Sequence, residues 1–177
     1  MSEADDARLV RETLGGKLRA FEELVDRYQH QVYNVAFRIT GDAADAEDVA
    51  QSAFLKAFEK LSQFNPKFKF FSWLYRIAVN EALNSEKRRH HHDVLEESEV
   101  AGEEIDEQVD RDGIVQRCIQ RLPPDQRTVV ILRHFEDLSY EEISRTLRLP
   151  LKTVKSRLFS ARTVLRELLT QQGLTLE

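Results

Sequence analysis

Ser139-Tyr140-Glu141-Glu142-Ile143-Ser144-Arg145-Thr146-Leu147-Arg148-Leu149-Pro150-Leu151-Lys152-Thr153-Val154-Lys155-Ser156-Arg157-Leu158 is the most legible stretch of this 177-residue chain. Ser139 with Glu142 three residues later forms a capping box, in which each side chain satisfies a backbone N–H that the first helical turn leaves without a partner. A helix therefore opens at Tyr140 and runs to Leu147, and Arg148-Leu149-Pro150-Leu151 makes a short turn. Pro150 disfavours the helical region for Leu149, so a second helix starts near Lys152. Val154, Leu158, Ala161, Leu165, Leu168 and Leu169 recur along it at helical spacing as a buried stripe, while Lys155, Ser156, Arg157, Ser160 and Arg162 lie off it. From Arg145 to Arg166 there are seven basic residues and no acid. A helical hairpin is common in protein cores, but a core does not need that charge run. Two helices, a tight turn and a basic second helix make a helix-turn-helix, which lays its second helix in the major groove of DNA.

Upstream, Ile114, Cys118, Ile119 and Leu122 begin another helix, which Pro123-Pro124 ends. Asp125 is placed to cap the next one, which buries Val129, Val130, Leu132 and Phe135. Cys118 sits on the apolar stripe and reads as a small core residue. Residues 113–177 carry 11 Lys+Arg against 7 Asp+Glu, whereas residues 90–112 carry 1 against 10. Like-charge repulsion keeps such an acidic strip extended, so it reads as a flexible linker. Fully extended, it reaches at most roughly 75–80 Å, enough to hold two DNA-reading modules a helical turn or two apart. It is either a solubilising spacer or an imitation of a nucleic-acid backbone. His90-His91-His92 invites a metal reading, but three adjacent histidines point in different directions and no Cys or His cluster follows at zinc spacing, so no metal is expected.

The N-terminal half is balanced, with 14 Lys+Arg and 14 Asp+Glu over residues 1–89. Phe21, Leu24, Val25, Tyr28, Val32, Val35, Ala36 and Ile39 step by threes and fours; Gly41 then ends the helix and Asp42 caps the next. That next helix buries Val49, Ala53, Phe54, Ala57, Phe58 and Leu61 and carries Asp45, Asp48, Gln51 and Lys56 opposite. Acids in a first turn can simply complement the helix dipole, or the face can be a protein-docking surface. Phe64 to Tyr75 then hold six of the chain's 15 aromatics, interleaved with Lys67 and Lys69. Pro66 keeps Asn65 out of helix, and Ser72 is placed to cap a helix starting at Trp73. Phe71 and Trp73 are expected to be buried. Rings beside lysines also suit single-stranded nucleic acid, because bases stack on rings while cations meet phosphates. Along the following helix Arg76, Asn80, Asn84 and Lys87 share an arc of about 80°. Seven basic residues against two acids between Lys60 and Arg89 make this a basic face with amides able to read base edges.

The chain is too short for a (β/α)8 barrel, which needs about 250 residues. Four prolines and six glycines argue against collagen-like or turn-rich all-β structure. No run of 18 apolar residues suggests a membrane span, and the acidic start Met1 to Asp6 is unlike a signal peptide. One cysteine suits a reducing cytoplasm. The fold class is all-α: two small helical domains, residues 1–89 and 113–177, joined by the acidic linker 90–112.

Four segments together resemble a known family: Asp45-Ala46-Glu47-Asp48-Val49-Ala50-Gln51, Phe71-Ser72-Trp73-Leu74-Tyr75-Arg76-Ile77-Ala78-Val79-Asn80, Leu138-Ser139-Tyr140-Glu141-Glu142-Ile143 and Thr153-Val154-Lys155-Ser156-Arg157-Leu158. In this order, with an acidic linker between the second and third, they are similar to the extracytoplasmic-function (group IV) sigma factors of bacterial RNA polymerase. The likeness spans about residues 5–170. It implies a region 2 bundle over 1–89 and a region 4 helix-turn-helix over 113–177. By the same resemblance Asp45, Asp48 and Gln51 dock on the β′ clamp helices of core polymerase, and the outer surface of region 4 holds the β flap tip. Phe64, Asn65, Lys67, Phe68, Lys69, Trp73, Arg76, Asn80, Asn84, Lys87 and Arg88 stand where the family meets melted −10 DNA. Lys152, Thr153, Lys155, Ser156, Arg157, Phe159, Ser160 and Arg162 stand at the −35 duplex.

The family also implies promoter-specific initiation, often in a stress response, with an anti-sigma factor as a further partner that can hold the protein at the membrane. No membrane insertion of the chain itself, no cofactor and no catalytic residue are expected. Two positions depart from the family pattern: the −10 loop reads Asn65-Pro66-Lys67-Phe68-Lys69 where it is often small and polar, and Ser160 stands where arginine is common. The main rival is a stand-alone helix-turn-helix regulator, which leaves the aromatic-basic loop and the acidic helix face unexplained.

Overall fold

The computed structural model describes residues 3–95 and 111–174, without the side chains of residues 3, 4 and 90–95. The linker residues 96–110 and the side chains of His90, His91 and His92 lie outside what is described. Every regular element among the described residues is helical: α1 (Glu3–Leu14), α2 (Leu18–Thr40), α3 (Ala43–Glu59), a 3-10 turn (Leu61–Gln63), α4 (Phe70–Leu95), α5 (Arg111–Gln120), α6 (Pro124–His134), α7 (Tyr140–Leu147) and α8 (Leu151–Gln171). The expected all-α class holds. Helix α4 continues past residue 89 to Leu95 and α5 opens at Arg111, so both ends of the acidic strip are helical.

Helices α2, α3 and α4 pack mutually, with α1 against α2 and α4. Leu24, Val32, Val35, Ala36 and Ile39 of α2 are buried as their spacing requires. Gly41 adopts φ 73° and donates its N–H to the Phe37 carbonyl; Asp42 then accepts the Asp45 N–H and starts α3. Helix α1 has no counterpart in the sequence reading. It is tied down by Asp6, whose carboxylate accepts from Arg27 at 2.6 Å and from the Tyr28 hydroxyl at 2.5 Å, with Leu9 and Val10 buried beneath. In the other body α6 and α7 pack on α8 and the capping box forms as expected, Ser139 Oγ accepting from the Glu142 N–H and Glu142 Oε2 from the Ser139 N–H. Arg148 ends α7 with φ 53°, a left-handed conformation that lets the Leu149 N–H reach the Ser144 carbonyl at 3.0 Å and sets the tight turn. Cys118 is buried against Leu168 and Leu169.

Four local expectations are corrected. Ser72 caps nothing, because α4 begins two residues earlier at Phe70. The buried rings of this stretch are Phe64, Phe70 and Tyr75, while Phe71 and Trp73 are half-buried against the core edge. Phe58 is 41% exposed; its ring packs edge-on with Phe21, centroids 5.0 Å apart. Asp125 lies inside the first turn of α6, since Pro123 and Pro124 occupy the N-cap and first helical positions.

The two bodies touch. Helices α5 and α6 pack on α2, and α7 packs on α4. An α-helix leaves its last carbonyls without intrahelical partners. At the end of α2 these are taken by side chains from elsewhere: Gln120 donates to the Arg38 carbonyl at 2.8 Å, Arg127 to that of Ile39 at 2.6 Å, and Arg89 to that of Thr40 at 3.1 Å. Arg127 is 6% exposed and also pairs with Glu86 of α4, itself 4% exposed, while its second nitrogen donates to the carbonyls of Gln120 and Leu122. The negative end of the α2 dipole adds to the attraction for this cation.

Candidate nucleic-acid interface

The loop between the 3-10 turn and α4 is built by its own side chains. Asn65 Oδ1 accepts the Lys67 N–H at 3.0 Å and the Asn65 carbonyl accepts the Phe68 N–H, so the loop folds back on itself after Pro66. Phe64 anchors it, 5.5 Å from the rings of both Phe70 and Trp73. Phe68, on the far side of the turn, is 54% exposed. Phe64, Asn65, Lys67, Phe68, Lys69, Trp73 and Arg76 line one cleft of about 480 Å³. These are seven of the eleven residues placed at the −10 element from sequence. Asn80 lines an adjoining cleft with Trp73, Arg76 and Lys60. Asn84, Lys87 and Arg88 lie farther along α4, and Arg88 opens into a different hollow beside Asp45 and Asp48.

The opposite wall of the aromatic cleft comes from α7 and its turn: Glu142, Arg145, Thr146 and Arg148. Sequence reasoning did not bring these to Phe64–Arg76, since no local signal encodes how α7 packs on α4. Lys69 Nζ meets Glu142 Oε1 at 3.1 Å. The Ser139 N–H, and then Lys69, hold the Glu142 carboxyl below the usual glutamate range. Burial, and then the neighbouring Arg148, lower the pKa of Arg76.

On α8 the exposed side is the one the stripe leaves free. Val154, Leu158 and Ala161 are buried; Lys152, Lys155, Ser156, Ser160 and Arg162 are exposed, and Phe159 is 75% exposed. Thr153 and Arg157 are half-buried at its edge, Arg157 paired to Asp125 at 2.6 Å. An apolar ring standing in water on a cationic helix is suited to a partner with apolar surface, such as the thymine methyls of the major groove. Arg162 approaches His134, whose pKa is lowered by burial and then by Arg162 and Arg133, so the ring is neutral at pH 7.

The third group divides. Asp48 and Gln51 are exposed on α3, whereas Asp45 is half-buried and accepts from Arg89 at 3.2 Å. Among the described residues no cluster of three His, Cys, Asp or Glu is arranged to hold a metal, and no helix is long and apolar enough to cross a membrane.

The family model for Sigma-70 region 2 matches residues 24–92, and that for Sigma-70 region 4 matches residues 112–165. The chain is 37% identical to the RNA polymerase sigma-H factor of Pseudomonas aeruginosa, over 92% of each chain. It is 39% identical to the ECF RNA polymerase sigma-E factor of Escherichia coli K12, over 89% of this chain and 90% of the relative. The chain belongs to the extracytoplasmic-function sigma factors. A sigma factor is a transcription-initiation factor and not an enzyme; it binds core RNA polymerase and promoter DNA, and this one directs the polymerase as an alternative sigma factor. Among solved structures, CnrH in complex with the cytosolic domain of CnrY superposes with a TM-score of 0.73 and 27% identity, covering 94% of the sigma factor and 98% of CnrH.

Proposed function

We propose that this sigma factor divides promoter reading between its two ends, with region 2 over residues 1–89, region 4 over 113–177 and the acidic segment 90–112 between them. The observation that carries the reading is the convergence of Phe64, Asn65, Lys67, Phe68, Lys69, Trp73 and Arg76 on one basic, ring-lined cleft. Melting the −10 element unstacks bases at a cost of a few kcal/mol each, and stacking on Phe68 and Trp73 with phosphates near Lys67, Lys69 and Arg76 offsets it. Asn80, Asn84 and Lys87 extend this face along α4, while Arg88 lines the separate hollow beside Asp45 and Asp48. Lys152, Lys155, Arg157 and Arg162 meet −35 phosphates and base edges, with Thr153, Ser156, Phe159 and Ser160 beside them on the groove-facing side of α8.

Asp48 and Gln51, with Asp45 behind them, form the docking face for the β′ clamp helices, and the outer face of region 4 takes the β flap tip. The protein acts in the cytoplasm and is restrained there by an anti-sigma factor, which can hold it at the membrane; the inhibitor-bound state of the relative CnrH supports that expectation. Run-off transcription with purified core polymerase on pooled genomic promoter fragments tests the whole reading. Discrete transcripts that require this chain are expected. Specific duplex binding without any transcript would instead mark a stand-alone helix-turn-helix regulator.

A further inference from the structure

We infer that Asp125 of α6 is a positioning residue for base reading: it holds the Arg157 guanidinium in one orientation, so that Arg157 selects a guanine in the −35 groove instead of merely meeting phosphate. The inference rests on the reading of α8 as the −35 helix.

Lys152, Lys155, Arg157 and Arg162, the cations of that face, are not alike. Among the described residues Lys152 and Lys155 have no carboxylate partner, and Arg162 approaches only the His134 ring, which is neutral at pH 7. Arg157 differs. It donates to Asp125 Oδ2 at 2.6 Å, with its side chain 28% exposed against 63% for the aspartate. The guanidinium therefore lies in the seam where α6 packs on α8, and the carboxylate stands at the outer edge.

A phosphate contact needs charge and tolerates a loose side chain. A carboxylate beside the cation works against it, since it repels the same phosphate. A base contact needs the reverse. The guanidinium carries five N–H donors in a rigid fork, and a bond to Asp125 leaves the others free. Two of them reach guanine O6 and N7 together only when the plane of the fork is held. Holding it beforehand removes part of the freedom that arginine loses on binding, and the nearby carboxylate penalises encounters in which the fork finds no guanine.

The local structure gives Asp125 no capping duty that would explain its aim. Pro123 holds the N-cap position of α6, where no side chain caps the helix. An acid in a first turn does complement the helix dipole, but that attraction requires no particular direction, and Asp125 points across to the other helix. Arg157 lies in the second turn of α8, within the N-terminal part through which a recognition helix meets base edges. An exposed ion pair adds little to stability, so loss of this one should be read in selectivity and not in melting.

Run-off transcription by reconstituted holoenzyme on a promoter pool randomised over the −35 element, each template carrying a transcribed barcode, measures preference position by position. Arg157→Lys keeps the charge and loses the fork; it should lower the preference for guanine at one position by roughly 5- to 150-fold. Asp125→Ala should lower the preference at that same position by roughly tenfold, within that range, while transcripts from poor −35 sequences rise. The double variant should be no less selective than Arg157→Lys, because both changes remove one interaction. Asp125→Asn keeps an acceptor without the charge and should fall between wild type and Asp125→Ala. Thermal midpoints of both Asp125 variants should match wild type.

An unchanged preference at the Arg157 position in both Asp125 variants, a loss spread evenly over all positions, or a double variant much less selective than Arg157→Lys overturns the proposal. So does a large fall in midpoint in both variants, which would make Asp125 a structural residue. An Arg157→Lys profile identical to a selective wild type removes Arg157 from base reading and the brace with it. Wild-type transcription with no preference anywhere in the −35 element would instead overturn the reading of α8 on which the inference rests.

Discussion

Phe68→Ala separates the two uses of aromatic rings in the segment Phe64–Tyr75. Full burial of a phenylalanine is worth about 1.5–3 kcal/mol, and Phe68 is 54% exposed, so truncating it should cost folding about 1 kcal/mol or less. Base stacking on a ring is worth about 1–3 kcal/mol, which corresponds to a loss of roughly 5- to 150-fold in capture of the −10 strand. Phe70, at 2% exposure beneath Phe64 and Trp73, is the contrast. Its truncation should cost about 3–5 kcal/mol of stability whatever the DNA does. The assay pairs urea melts of each variant with run-off transcription at saturating core polymerase, and with open-complex lifetime on one selected promoter. Phe68→Ala is expected to melt almost as wild type while its open complexes decay faster and its transcript falls. Transcription within twofold of wild type, with stability intact, would refute stacking at Phe68. A drop in stability as large as that of Phe70→Ala would refute the placement of its ring outside the core.

Gly41→Ala should destabilise by about 1–2 kcal/mol in urea melts, because φ 73° is strained for alanine. A Cβ there comes 2.8 Å from the Gln120 side chain, which must shift to admit it. Replacing Lys155 and Arg162 together by alanine should flatten the salt dependence of −35 duplex binding by about two in log–log slope if each meets one phosphate; an unchanged slope would place them off the DNA. Burial is the main force raising the Glu136 pKa above its ordinary 4.5, against the Tyr75 hydrogen bond and Arg38, with Asp137 adding to the rise. Between the ordinary and the raised value the folded state binds more protons than the unfolded one, so this group's contribution falls as pH rises through that window. Thermal melts across it should show wild type losing stability relative to Glu136→Gln as pH increases, and parallel curves would remove Glu136 from the balance.

Local signals carried far in this chain because its elements are helices with strong punctuation. The Ser139–Glu142 capping box, the Gly41–Asp42 junction and the stripes of α2 and α8 rest on neighbours within about a turn of one another, so reading them needs no tertiary information. The same holds for which residues of α8 face water. Errors arose where a nearby alternative competed. Ser72 looked like a cap, but α4 starts at Phe70, whose ring is buried against Phe64. Asp125 looked like a cap, but Pro123 and Pro124 had already set the start of α6. Phe58 follows the apolar spacing of α3 yet stands at the end of the bundle, where little covers it.

Sequence by itself determined that the chain is helical, that a basic helix-turn-helix closes it, that an acidic strip divides it, and that rings and lysines gather between Phe64 and Tyr75. Those properties follow from residue spacing and charge, which act over a few residues. Tertiary structure alone decided that Asp6 holds α1 through Arg27 and Tyr28, that Phe64 rather than Trp73 is the deeply buried ring, and that Arg127 crosses to Glu86 and the end of α2. It also decided that the aromatic-basic cleft has α7 as its second wall. These depend on burial and on the pairing of polar groups far apart in sequence, and a guanidinium's partner is chosen by which carboxylate and carbonyls the packing brings into the same water-free space.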